Sequence, residues 1–414
     1  FTLFSQGEAN KWVVSPNSLI DFSSGVATLT NLTTVGDFYE SITCISDQNG
    51  NFLFYSDGAT VWGVDNNVLP NGNNLSPESS TAIRTTTQGS LFVNSPSDTN
   101  QYYLFSLSFN GTLSFSILDR TLNGGLGAVI SKQNVLVKDT LSEKMAVTKH
   151  CDNKSFWLVI IKYKDLKYLK GPSANYTLEF QSYLINQYGV QSDPIKSQIK
   201  TLCPKYGQMK FNNAGTELAF AENNTLVLFD FDKASGKVSL KREVELPLDN
   251  GYGVEYAPND SIIYINEKQF DLYSNALTPL QSFPTPGQLQ RGADNKIYGY
   301  SFPEDEVNMQ ISTTSGFYGN GNWVITANKD EQTNLFSISS PTIPGALAQY
   351  LPNAITINHV GNFRNYFALP YLAAYHFNHK VSDFNHSGSC INSPIDFFLS
   401  NENAPIDSIH WYSP

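Results

Sequence analysis

The chain has 414 residues, of which only 15% are charged, with 27 Phe and 22 Tyr. That composition can build a large core and excludes a disordered polymer. Its net charge of −11 and pI near 5.0 exclude the basic stripe that nucleic acid or an anionic membrane requires, and no run of about 18 or more apolar residues points to a spanning helix.

A start at Phe1 rather than Met reads as a mature exported chain or a trimmed one. Aromatic-rich, charge-poor sequence heavy in Asn, Ser, Thr and Gly favours strands and turns. The strand at 18–22 comes first and is expected to close a ring by completing the last unit. Residues 42–46 lead through Asp47-Gln48-Asn49-Gly50-Asn51 into Phe52-Leu53-Phe54-Tyr55. Ser95-Pro96-Ser97-Asp98 precedes Tyr102-Tyr103-Leu104-Phe105 in the same manner. Val147-Thr148-Lys149-His150-Cys151-Asp152-Asn153 precedes Phe156-Trp157-Leu158. Each is an alternating strand, a tight turn and a second apolar strand, the pattern of a β-hairpin.

The pattern then sharpens into a cassette. Gly207-Gln208-Met209-Lys210-Phe211-Asn212-Asn213-Ala214-Gly215 returns as Gly253-Val254-Glu255-Tyr256-Ala257-Pro258-Asn259-Asp260, and again as Gly287-Gln288-Leu289-Gln290-Arg291-Gly292-Ala293-Asp294-Asn295. The copies open 46 and then 34 residues apart. A four-stranded propeller blade takes roughly 40–50 residues. The stretch 226–236 supplies an outer hairpin to the Gly207 unit, and 315–352 has room for one more unit. The spacing predicts an all-β chain with a seven-bladed β-propeller, six blades being the next count, over residues 1–370. Gly345 to Leu351 reads as one or two helical turns. Beyond 370, loop-like 384–390 and strands at 395–399 and 406–412, with Trp411 placed like a core tryptophan, read as the incomplete start of an immunoglobulin-like domain over 371–414.

Catalytic motifs of the GxSxG, HExxH, P-loop and GxGxxG kinds are absent, so no enzyme, cofactor or metal is expected. Gly124-Gly125-Leu126-Gly127 lacks a following helix and reads as a connecting turn rather than a phosphate cradle. Asp47 to Asn51 has the flavour of a calcium loop but no carboxylate at the twelfth position. His376, His379, His386 and Cys390 match no closed zinc spacing, and His150 has no local acid or base partner. Asp139-Thr140-Leu141, Asp260-Ser261-Ile262 and Asp407-Ser408-Ile409 are candidate O-glycan acceptors. Thr148, Lys210, Glu255 and Gln290 align across the repeats, with Lys149, Phe211, Tyr256 and Arg291 on the opposite face. A solvated strand face and a binding surface at the channel mouth both fit these positions. For a docked protein, Lys149, Lys210, Glu255, Gln290 and Arg291 are the expected contacts. Cys151 at one turn and Cys203 at the entry to the next unit are the expected disulfide pair.

Several segments carry a resemblance. Leu19-Ile20-Asp21-Phe22-Ser23-Ser24-Gly25, Asp57-Gly58-Ala59-Thr60-Val61-Trp62, Asp119 with Thr121-Leu122-Asn123-Gly124-Gly125-Leu126-Gly127, Glu143-Lys144, the three cassettes and Leu351-Pro352-Asn353 resemble exported Bacteroidota proteins in which a propeller precedes PKD-type domains. The resemblance implies a non-enzymatic protein-interaction module of the periplasm or outer membrane, tied to gliding or type 9 secretion, its partner being the translocon or another envelope component. A surface adhesin or carbohydrate binder using Trp323 and Tyr318, and a hydrolase or lyase sited in the channel, are the competing classes.

Overall fold

The computed structural model describes residues 7–15, 18–31, 38, 40–163, 176–202, 206–222, 224–247, 251–266, 268–280, 287–301, 311–312, 322–323, 332–358, 369–377, 384–387 and 396–399. Seven sheets form the blades of a β-propeller. Blade 1 has three strands, Lys11–Ser15, Ser18–Asp21 and Thr28–Asn31. Blades 2, 3 and 4 begin with the innermost strands Thr43–Ser46, Ser90–Asn94 and Leu141–Lys149. Blades 5, 6 and 7 begin with Met209–Phe211, Val254–Tyr256 and Leu289–Arg291.

The expected sixth and seventh units merge. Ile297–Ser301, Gln332–Ile338 and Tyr350–Asn358 are the outer strands of blade 7, so residues 332–352 join blade 7 rather than a further blade. The missing blade comes from the N-terminus. Ser18–Asp21 pairs with Lys11–Ser15 and Thr28–Asn31, not with the last unit. Among the described residues the ring closes by packing: Trp12 and Phe22 both meet Tyr298 edge-on, with centroids 5.7 Å away.

Side-chain alternation explains the blades. In blade 5, Leu218 faces Phe229 and Phe220 faces Val227 across the strands, and all four are buried. The turns are set by acceptor side chains. Asn212 Oδ1 accepts from the amides of Thr216 and Glu217, and Asp47 Oδ1 does the same for Asn49 and Asn51. That is an Asx turn, which occupies the carboxylate of the calcium-like loop. In the Gly-Gly run, Gly124 and Gly125 sit at φ +68° and +92° with open space where a Cβ would point, so conformational freedom alone accounts for them.

The central channel is filled. Residues 369–377 run along its axis from the end where the innermost strands of blades 2–7 begin (the upper mouth) to the end where they stop (the lower mouth). The Leu369 amide donates to Gln288 Oε1 and the Tyr371 amide to the Ile42 carbonyl, at 3.1 and 2.9 Å. Thr43 Oγ1 donates to the Tyr371 carbonyl. Lower down, the Tyr375 ring lies 4.8 Å from that of Phe156, and Phe377 packs under Arg291. The boundary expected at 370 therefore cuts a segment that belongs to the propeller core. Phe384–Ser387 pairs with Asp396–Leu399; the first of these strands falls in a stretch expected to be loop. The expected strand at 406–412 and Trp411 lie outside the described residues.

Candidate functional site at the channel and its upper mouth

Three glutamines gird the upper end of the channel. Gln88 bridges to blade 5, its Oε1 accepting from the Met209 amide and its Nε2 donating to the Met209 carbonyl. Gln208 accepts from the Leu289 amide in blade 7, and Gln288 donates to the Thr87 and Glu40 carbonyls. Each carboxamide satisfies buried backbone groups that have no neighbouring strand there. For Gln208 and Gln288 the sequence signal was the Gly-Gln pair that opens two of the cassettes; Gln88 follows Thr87 and had no such signal.

Above this girdle, two carboxylates are joined through hydroxyls. The amide and Oγ1 of Thr87 both donate to Glu143 Oε2, at 2.9 and 3.1 Å. Thr87 Oγ1 lies 3.0 Å from the Tyr252 hydroxyl, which donates across 3.4 Å to Glu40 Oε2. Burial, and after it the charge of Glu143, push the Glu40 carboxyl up to about 8. That shift favours the protonated form of Glu40, which stands at one end of the row Glu40–Tyr252–Thr87–Glu143 with a second acid at the other. Sequence reasoning missed Glu40, Thr87 and Tyr252. They lie in loops from three separate stretches, and no local spacing joins them.

The expected docking residues are placed differently. Lys210, Glu255, Gln290 and Arg291 are only 2, 6, 1 and 3% exposed. Lys210 Nζ lies 3.1 Å from Glu255 Oε2 and 2.6 Å from Gln290 Oε1, with the Tyr371 ring 4.8 Å away. Glu255 also accepts from the Arg291 and Tyr256 amides. Burial pulls the Lys210 ammonium below its ordinary range and Arg291 down to about 10. The reading of these positions as a solvated face or an open docking surface is thereby corrected. The axial segment covers them, and they hold the blades and that segment together. Lys149 stays partly exposed at the lower mouth, over Tyr375.

His150 accepts from the Asp152 amide and caps its turn. His376 is buried in the channel, where desolvation pushes its imidazole down to about 3. The positions of His379 and Cys390 lie outside the described residues, as does the side chain of His386. No group of three or more His, Cys, Asp or Glu among the described residues could hold a metal. Cys44 is a free buried thiol and Cys151 is disulfide-bonded; the expected partner Cys203 lies outside the described residues.

No protein-family model matches the chain, and no curated protein matches it in sequence. It is similar to solved propellers. One is the Cps50 (Swd1) β-propeller domain of Myceliophteria thermophila, with TM-score 0.42 and 10% identity, covering 72% of this chain and 91% of that one. A Bacteroides uniformis protein provisionally described as a 6-phosphogluconolactonase has TM-score 0.40 and 8% identity, covering 85% and 98%. The periplasmic gluconolactonase of Pseudomonas aeruginosa has TM-score 0.38 and 14% identity, covering 63% and 74%.

These likenesses are of fold alone. They do correct one expectation. Propellers described as lactonases stand among the similar structures, so the absence of the familiar catalytic motifs is no ground for excluding an enzyme.

Proposed function

We propose that this chain is an exported β-propeller that binds a protein partner in the cell envelope of a Bacteroidota bacterium, as a plug or accessory component tied to type 9 secretion. The observation that carries the binding role is the filled channel. The chain's own residues 369–377 take up the axis, so recognition is left to the mouths and the rim loops. The disulfide at Cys151 supports an oxidising compartment outside the cytoplasm. The test is affinity capture with the native protein from envelope extracts of a type 9-secreting organism. Retention of a translocon component is the expected result. Retention of glycans alone supports the carbohydrate-binding class instead; of its two aromatics, Tyr318 lies outside the described residues and so does the Trp323 side chain.

One observation favours a second reading, acid–base hydrolysis at the upper mouth. A protonated Glu40 facing Glu143 through two hydroxyls has the makings of a general acid and a general base. Ester and lactone hydrolysis by the native chain and by Glu40→Gln tests it. Activity that survives the substitution unchanged removes this reading.

A further inference from the structure

We propose that the lower outer corner of blades 2 and 3 is a docking surface, and that it takes a segment of a partner protein rich in apolar and Lys or Arg side chains. The proposal rests on the protein-binding reading above and gives that reading a place and a partner chemistry.

Two turns build the surface. In blade 2, residues 64–67 join Thr60–Gly63 to Val68–Asn73; in blade 3, residues 120–127 join Thr112–Asp119 to Ala128–Lys138. A Cβ on Gly63 would stand 3.2 Å from Asp65 Oδ1 and 3.4 Å from the Leu126 carbonyl, so the two turns meet. Gly127 lies against the Phe54 ring of blade 2, where an added Cβ would come within 2.5 Å. That contact fixes the base of the longer turn. The Leu122 carbonyl accepts from the Gly125 and Gly127 amides, both at 3.0 Å, which closes the turn on itself. The turn is therefore ordered before anything binds, and such preorganisation lowers the entropy lost on association.

The corresponding turn of blade 5 reads Asp232-Lys233-Ala234-Ser235-Gly236 and carries no large apolar side chain. Here Val64, Leu122 and Leu126 are 43, 42 and 37% exposed. Ile130, passed over by the register at a bulge early in Ala128–Lys138, is 48% exposed. Single exposed aliphatics are ordinary; four on adjoining turns mark a contact surface.

Charge selects the occupant. Asp65 and Asp119 stand in these turns, and hydrogen bonds from Asn67 and Thr121 hold both carboxyls below their ordinary range. Neither joins an ion pair among the described residues, and the neighbouring Arg120 is held by Asp47 and Asn100. Two unpaired anions beside an apolar patch favour a cationic, apolar segment and reject an acidic one. Three register shifts between Thr112–Asp119 and Ala128–Lys138 spoil the outer edge as a template for an added strand, so recognition falls to side chains.

The test places a photo-crosslinking benzoylphenylalanine at Leu126 of the full chain in envelope extracts. Tyr273, 82% exposed on the lower rim of blade 6, is the comparison position. The expected product is a protein joined at Leu126, through a segment rich in Lys or Arg and apolar residues. Leu122→Ser with Leu126→Ser is expected to weaken retention of that protein about tenfold or more. Asp65→Asn with Asp119→Asn is expected to weaken it about threefold at low salt and to match the native chain at high salt. Asn keeps the acceptor of each turn, and circular dichroism checks that both variants stay folded. Equal crosslinking at both positions, crosslinking to an acidic segment, a glycan or a second copy of this chain, or retention unchanged in both variants overturns the site. If the native chain retains a protein that does not crosslink at Leu126, the site fails and the protein-binding reading stands; if it retains none, both fail.

Discussion

Tyr371→Ala tests whether the axial segment is seated as described. The ring is 4% exposed and lies under the Lys210 ammonium, 4.8 Å from its centroid. Truncating a buried aromatic to Ala costs about 3–5 kcal/mol, and losing a desolvated cation–π contact adds about 1–2 kcal/mol. The backbone bonds of Tyr371 to Ile42 and Thr43 survive the change, so the expected loss is near the middle of that range, about 5 kcal/mol. Tyr371→Phe is the control. It removes only a hydroxyl that reaches the Met209 carbonyl at 3.5 Å, worth under about 1.5 kcal/mol. Urea unfolding followed by tryptophan fluorescence reads both, and a cycle with Lys210→Met isolates the ring–ammonium contact at about 1 kcal/mol. If Tyr371→Ala costs less than about 1 kcal/mol, the segment does not fill the channel in solution, and the proposed restriction of recognition to the mouths and rim goes with it.

Glu255→Gln leaves the buried Lys210 ammonium without its carboxylate and is expected to cost about 3–5 kcal/mol; adding Lys210→Met should recover part of that, as measured by denaturation midpoints. Charge reversal at Lys210 or Glu255 is for the same reason expected to unfold the chain rather than to slow partner association. The raised Glu40 carboxyl makes the folded state hold a proton that the unfolded state has lost, so stability should fall as pH rises from about 4.5 to 8, by at most ~1.4 kcal/mol per unit. Glu40→Gln should flatten that slope, and an unchanged midpoint difference between the two ends of the window speaks against a raised carboxyl. Gly236→Ala places a methyl 2.7 Å from the Trp157 ring at φ +73° and should cost about 1–3 kcal/mol; calorimetry showing no loss would mean that turn is not closed on blade 4.

Strand, turn and blade identity were legible along the chain because each depends on neighbours in sequence. Period-2 burial, Asx acceptors and the Gly-Gln opening of the cassettes are local signals, and they led to seven blades even though the N-terminal and final units were assigned wrongly. The 315–352 error has a plain cause: a long insertion inside blade 7 mimics the spacing of an extra repeat. The cassette also aligned Lys210, Glu255 and Gln290 correctly, since all three meet in the structure. What it could not reveal was that they are buried, because the cover over them, Tyr371 and Leu372, comes from more than 80 residues further on. The upper-mouth acids are of the same kind. Glu40, Thr87, Glu143 and Tyr252 share no motif, and only the folded ring brings the loops of three of them to the blade 4 strand that carries Glu143 and desolvates Glu40. The sequence by itself thus determined the repeating unit and its register. The tertiary structure alone decided what fills the channel and which charges are sealed from water, because both depend on contacts between segments that are distant along the chain.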